Sequence, residues 1–272
     1  MKSFKEYICE DAVADQNAIW KDMSGGTWIT PPKRVDVRGT SVKVKTKKEG
    51  GGYGGYARQR IRDVVKNAIL HPIRTLRNPM FAIDAAPHKT VTVNKTYGRT
   101  EASLLGHELQ HVSDSLKPKS VEQQSKFGKH DELQRKTVPY NLRDTERSAR
   151  RGEAVVRARN HWHSLLSGLQ SDRDAPHLRT PKAFRNWVDN HAKSGAHNEF
   201  HSELGKTQNP HFKIPRKKKF TLTGLTRSAG RLSNQYYKAF YNRPDGLSVD
   251  DIHSIVTSPN WKIDDKGTPV KT

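Results

Sequence analysis

The chain is 272 residues long, 33% hydrophobic and 28% charged, with a formal net charge of +21. That length accommodates one or two domains, but the low apolar content and a mean hydropathy of −0.89 predict that part of the chain is extended, tail-like or held by a partner. Cys9, the only cysteine, excludes an internal disulfide framework, and no apolar run approaches the roughly 18 residues of a membrane span.

Residues 1–24 carry Phe4, Ile8, Ala12 and Ile19 at loosely helical intervals, which predicts an N-terminal tail or docking helix. From Thr27 to Lys45 β structure is expected. Trp28 and Ile29 precede the Pro31-Pro32 break, then Val35, Val37, Val42 and Val44 alternate with polar residues, with Gly39-Thr40 as the turn. The glycine-rich run from Gly50 to Tyr56 lacks the Gly-Lys-Ser/Thr ending of a phosphate loop and reads as a hinge or surface loop. Between Tyr56 and Leu70, the spacing of Ile61, Val64, Val65, Ala68 and Ile69 predicts an amphipathic helix backing the sheet. Lys89 to Asn94 is alternating and β-branched, hence a strand, with a turn at Tyr97-Gly98.

The next stretch, Leu104 to Val112, contains His-Glu-x-x-His. At about 3.6 residues per turn His107 and His111 share one helix face, so two imidazoles can grip one metal ion while Glu108 reaches a water beside it. Ala102, Leu105, Leu109, Val112 and Leu116 recur on the opposite side and give the helix a core face. Thr100 is the expected N-cap, Glu101 suits the positive first turn, and Pro118 forbids continuation. Two histidines and a base leave one need open, a third protein ligand from elsewhere in the chain. Lys117 to Thr137, polar and containing His130, reads as a surface loop with room for one helical turn.

After about Gln170 the texture changes, and residues 171–272 read as a basic, mainly helical extension. Lys182 to Ala192 predicts one helix. His191, His197, Glu199, His201 and His211 cluster in sequence, but their spacing matches no helical ligand pair well. Pro215 to Phe220 is a dense basic run, and Tyr236, Tyr237, Phe240 and Tyr241 follow among Lys and Arg. That mixture suits single-stranded nucleic acid, although a helix packing its aromatics on the core is the preferred reading. Ser248 is the expected N-cap of a last short helix to Val256.

The His-Glu-x-x-His helix, the strand before it and the segment Tyr140 to Ala149 together resemble the zinc metallopeptidases of the gluzincin kind, small single-domain versions of which occur in phages and bacteria. The likeness covers roughly Gly25 to Leu169. It implies an α+β fold with a minimal zincin-like core over 25–170: a small sheet, the His-Glu-x-x-His helix and a following glutamate-bearing helix. The family's Glu-x-x-Ala is matched by Glu146 to Ala149, so the resemblance implies Zn2+ held by His107, His111 and Glu146, with Ala149 easing helix approach. Asp144 and Glu153 remain rival third ligands, and Asp114 is expected to orient a histidine. The extra Gly and third His of metzincins are absent after His111, which excludes that subclass. Zinc peptidases carry a Tyr or His that bonds the developing oxyanion; Tyr140, His130, His161 and His163 are the candidates.

The expected activity is therefore peptide-bond hydrolysis by a zinc metalloendopeptidase, with Glu108 as base. The product is expected to be phage-encoded, cytoplasmic when synthesised and associated with a virion or an intracellular target. Its partners would be a protein or peptide substrate and, through the basic surface, nucleic acid or acidic protein bound non-specifically, with no membrane partner. The alternative from a different class is a basic virion or nucleic-acid-associated structural protein with a stabilising zinc site.

Overall fold

A computed structural model describes residues 12–21, 23, 26–47, 55–95, 100–118, 120–138, 140, 143–207 and 222–272 of the chain. Helix α1 spans Ala12–Trp20 and is docked, with Ala12, Val13 and Ile19 buried; Phe4 and Ile8 lie outside the described residues. Two-residue strand β1, Trp28–Ile29, is followed by β2, Arg34–Val37, and β3, Thr40–Lys47, an antiparallel hairpin. Its four valines all face inward, as a period of two requires. The turn is Arg38-Gly39 rather than Gly39-Thr40. Both residues have positive φ, 53° and 73°, which is the twist a tight two-residue hairpin turn needs.

Strand β4, Gly55–Gln59, takes up the end of the glycine-rich run, so Gly55 and Tyr56 belong to the sheet; Gly50 to Gly54 lie outside the described residues. The helix expected from Tyr56 begins only at Ile61. It is α2, Ile61–Leu70, followed by α3, Pro72–Arg77, and α4, Phe81–Asp84. Contrary to expectation α2 does not back the sheet with its apolar side, and none of its residues is buried.

Strand β5, His88–Asn94, completes a four-stranded sheet in the order β2-β3-β5-β4. β5 runs parallel to β3 and antiparallel to β4, which forms an edge. Strand β6, Thr100–Glu101, pairs with β1 and leads into α5, Ala102–Leu116, the His-Glu-x-x-His helix. Glu101, not Thr100, is its N-cap residue; Thr100 is tied into the strand pair. Ala102, Leu105, Leu109 and Val112 are buried against Val91, Val93 and the hairpin valines in one cluster.

Lys117 to Thr137 is not a loop. Val121–Thr137 forms α6, a helix of 17 residues. Its polar sequence hides the devices that make it helical: a capping box between Ser120 and Gln123, and i,i+4 pairs of Asp131 with Arg135 and Glu132 with Lys136. Only Phe127 supplies a large buried apolar anchor. The long helix α7, Asp144–Ser171, crosses α5 where both are thin. A Cβ on Gly106 would meet Val156 Cγ2 at 2.6 Å, and one on Gly152 would meet Gln110 Cβ at 2.9 Å. Ala149 is buried as expected, but the close approach depends on these two glycines.

The second half of α7 joins a second core. Trp162, Leu165, Leu166 and Leu169 pack with residues of α8, Pro181–Thr207, and α9, Leu222–Tyr241. The helix expected at Lys182 to Ala192 thus runs on for 27 residues. Tyr236 and Phe240 are buried in this cluster and Tyr237 packs against it, while Tyr237 and Tyr241 donate to Asp189; three of the four aromatics pack on the core and Tyr241 is exposed. Helix α10, Val249–Val256, carries the expected Ser248 cap, and a small hairpin of β7, Trp261–Ile263, and β8, Pro269–Lys271, ends the chain. The fold is thus α+β, mainly helical with small sheets. Among the described residues no helix is long and apolar enough to cross a membrane.

Candidate metal centre

α5 presents His107 and His111 one turn apart, and the first turn of α7 brings Glu146 opposite them. His107 Nε2 lies 3.3 Å from Glu146 Oε2, and His111 Nε2 lies 3.5 Å from Glu146 Oε1. One donor atom from each of the three falls within 4.8 Å of the others, and this is the one such group of potential ligands among the described residues. Donors about 2.0–2.1 Å from a shared tetrahedral centre are separated by about 3.3–3.4 Å, close to each imidazole–carboxylate distance here, with the two imidazoles facing different oxygens of Glu146. Glu146 Oε2 is buried and makes no hydrogen bond, a cost that coordination would remove.

Charge tells the same story. Burial opposes protonation of His107, yet the carboxylates of Glu146 and Glu153 outweigh it and hold its pKa up at about 9. Burial likewise pushes Glu146 up, but His107 and His111 hold it well below the usual carboxylate range. Two carboxylates converge on two imidazoles, and the arrangement is stabilised by positive charge at its centre.

Glu153, two turns after Glu146 on α7, is not placed as a third ligand. It accepts from His107 Nδ1 at 3.3 Å, which leaves Nε2 to face the centre. Glu153 is gripped in turn by Arg157, whose NH1 also donates to Glu199 on α8 at 3.0 Å. Asp144 is turned away, accepting from Gln134 Nε2 at 2.6 Å and lying 3.2 Å from His130 Nε2. Asp114 does not orient a histidine: it takes hydrogen bonds from Lys117 Nζ at 2.8 Å and Gln110 Nε2 at 3.1 Å. It belongs to a polar layer with Asp15 and Gln16 that fixes α1 to α5. That expectation fails because Asp114 leans back to the buried lysine three residues on rather than forward to the imidazoles.

Glu108 is buried beside the centre, and burial, reinforced by Glu146 and Glu153 against the two histidines, raises its pKa above the ordinary carboxylate value. Edge strand β4 lies against it: a Cβ on Gly55 would come within 2.8 Å of Glu108 Cγ. Glu108, His111 and Glu146 open onto a cleft of about 590 Å³ that is also lined by β4, His88, α6 and Tyr140. Tyr140 carries its ring in solvent, with the Arg143 guanidinium 5.5 Å from the ring centre. Burial of its hydroxyl and then the charge of Glu146 raise its pKa.

The other oxyanion candidates are elsewhere. His130, on α6, is tied to Asp144 of α7, His161 bonds the Tyr236 hydroxyl at 2.6 Å, and His163 lines a separate small cavity beside Trp20. In the C-terminal histidine cluster, Glu199 is committed to Arg157, His197 and His201 meet edge to face with ring centres 4.2 Å apart, and His211 lies outside the described residues. The roles of Gly55, Gly106 and Gly152 escaped the sequence; spacing marks a glycine but not what presses on it. No family model matches the chain, and neither does any curated protein or solved structure.

Proposed function

We propose that the chain is a zinc-dependent metallopeptidase with a zincin-like core, in which His107, His111 and Glu146 hold the metal. The observation that carries this reading is the convergence of these three donors beside a cleft lined by His111, Glu146 and Glu108, whose pKa is pushed up by burial. Zinc bound there would supply a Lewis acid that acidifies water and polarises a carbonyl. Glu108 takes the proton from the attacking water and returns it to the leaving amine; its raised pKa brings it closer to neutrality, where a base that must also act as an acid works best. Tyr140 donates its hydroxyl to the oxygen that gains charge, since a phenol kept protonated is available as a donor. β4 is an edge strand with Gly55 beside Glu108, and an extended peptide adding to that edge would bring its carbonyl to the centre.

The test is metal content by mass spectrometry on wild type, Glu146→Ala and Glu108→Gln, with casein or peptide-library cleavage on the same samples. One zinc per chain is expected in wild type and Glu108→Gln and none in Glu146→Ala, with cleavage falling by about 10²-fold or more in Glu108→Gln. Zinc without cleavage in wild type would favour the basic structural protein instead, a reading to which the +21 charge lends weight. No zinc in any sample would end both.

A further inference from the structure

The apolar side of α2 faces water. Ile61 is 83% exposed, Ile69 71% and, on α3, Leu76 83%, and neither helix has a buried residue. Eight of the twelve exposed large hydrophobic side chains among the described residues fall between Ile61 and Ile83, so this is a patch and not scatter. The inward side of α2 is mixed, with Asp63 and Asn67 half-buried beside Val64 and Ala68. Asp63 pairs with Lys89 Nζ on β5 at 3.3 Å, and Asn67 Nδ2 donates to the Ala82 carbonyl at 3.5 Å. A helix that turns half-buried polar groups inward and displays isoleucines departs from the usual arrangement of a globular surface.

Basic residues are interleaved with the patch. Arg62 and Lys66 share the outward side of α2 with Ile61, Val65 and Ile69, and Arg74 and Arg77 accompany Ile73 and Leu76 on α3, all exposed. A protein–protein interface gathers its apolar residues centrally and is depleted of charged residues at that core, whereas alternation of large apolar and cationic side chains along a surface helix suits the boundary between lipid headgroups and acyl chains. Charge complementarity with acidic headgroups is supplied by the same residues and by the +21 of the whole chain.

We propose that the outer face of α2 and α3 is a reversible docking surface for an anionic lipid membrane. This departs from the expectation of no membrane partner, which rests on the lack of an apolar run long enough to span a bilayer; interfacial contact needs no such run. Ile61, Val65, Ile69 and Leu76 enter the headgroup boundary, and Arg62, Lys66 and Arg77 meet the phosphates. Met80 and Ile83, which continue the patch, line the cleft at the metal centre, so a docked molecule holds that cleft close to the membrane surface.

The test is co-sedimentation of the full chain with vesicles of phosphatidylcholine alone and with one-third phosphatidylglycerol. Wild type should bind the anionic vesicles and not the neutral ones. The triple variant Ile61→Gln, Ile69→Gln, Leu76→Gln should lose tenfold or more, with its circular dichroism and melting temperature unchanged because the positions are exposed. Arg62→Gln with Lys66→Gln should lose about fivefold per charge. In a separate sample, Ile69→Trp should show blue-shifted emission on anionic vesicles. Equal binding by wild type and the triple variant would overturn the proposal and assign the attraction to general charge. Failure to bind anionic vesicles would overturn it outright. Micromolar self-association lost in the triple variant would overturn it in favour of a second copy covering the face.

Discussion

Helices α5 and α2 have the same kind of sequence pattern and opposite fates. Each is amphipathic, each follows a strand of the sheet or its companion pair, and each carries a charged or metal-ligating side opposite an apolar one. α5 lays Leu105, Leu109 and Val112 against the sheet valines and turns Glu108 and His111 to a cleft. α2 lays Asp63 and Asn67 inward and leaves Ile61, Val65 and Ile69 in water. Periodicity of 3.6 identifies two faces of a helix; what covers each face depends on neighbours distant in sequence.

The largest measurable difference between the two should be thermodynamic. Leu109→Ala removes a fully buried side chain and should cost about 2–5 kcal/mol in chemical denaturation, whereas Ile69→Ala should stay within about 0.5 kcal/mol of wild type. An equal cost at both positions would mean that α2 is covered in solution, and the contrast would collapse.

This contrast also marks what was legible. The two histidines of the candidate metal centre, the hairpin valines, β5, the Ser248 cap and the buried face of α5 are local patterns, and each could be read from spacing. α6 could not, because its stability comes from a capping box and ion pairs on a polar sequence with one aromatic anchor. Nor could the choice among Glu146, Glu153 and Asp144. All three lie on α7 within ten residues, and only the crossing of α7 over α5 decides which carboxylate faces Nε2, which supports Nδ1 and which leaves for α6.

That crossing offers the next test. α5 touches α7 through Gly106 and Gly152, whereas α2 meets no partner so closely. Gly152→Ala would drive a methyl to 2.8 Å from Gln16 Nε2 and 2.9 Å from Gln110 Cβ, forcing the helices apart at a cost of about 1–3 kcal/mol. Because Gly152 lies between Glu146 and Glu153 on α7, the shift should also weaken zinc binding, read in a chelator competition on the same samples. Loss of stability with unchanged metal affinity would show that the centre tolerates helix displacement.

A smaller effect is expected from the support behind His107. Glu153→Gln keeps the shape of the side chain that accepts from Nδ1 but removes its charge, and such changes weaken zinc binding by about 10–100-fold. The fold should be unaffected, since Arg157 retains Glu199 as a partner. Unchanged zinc affinity would show that the 3.3 Å contact positions nothing.

The cleft between the α5 layer and the α2–α4 layer carries the smallest effect. His88, on β5, donates its backbone N–H to Ser115 Oγ on α5 at 2.9 Å, and its Nδ1 is buried without a hydrogen bond. Burial, with the charge of His111 adding and Asp131 opposing, lowers its pKa from the model-peptide value of 6.5 to about 4. Above pH 6.5 the ring is neutral both folded and unfolded, so its burial is uncompromised. Between pH 6.5 and about 4 the unfolded chain binds a proton that the folded chain refuses, and stability falls as pH falls, by about 1.4 kcal/mol per pH unit at most. In the metal-free protein, where this titration is done, His107 has the opposite sign: its raised pKa stabilises the fold fully below 6.5 and the contribution fades only as pH rises through about 9, so it is silent in the acidic window. His161, His177 and His191 are lowered too, chiefly by burial, so the reading is the difference between wild type and His88→Gln in urea titrations. That difference should shift toward the variant by about 1 kcal/mol between pH 6.5 and 5.5. Parallel losses in the two proteins would mean that His88 takes up its proton in the folded state, with the cleft wide enough to hydrate it.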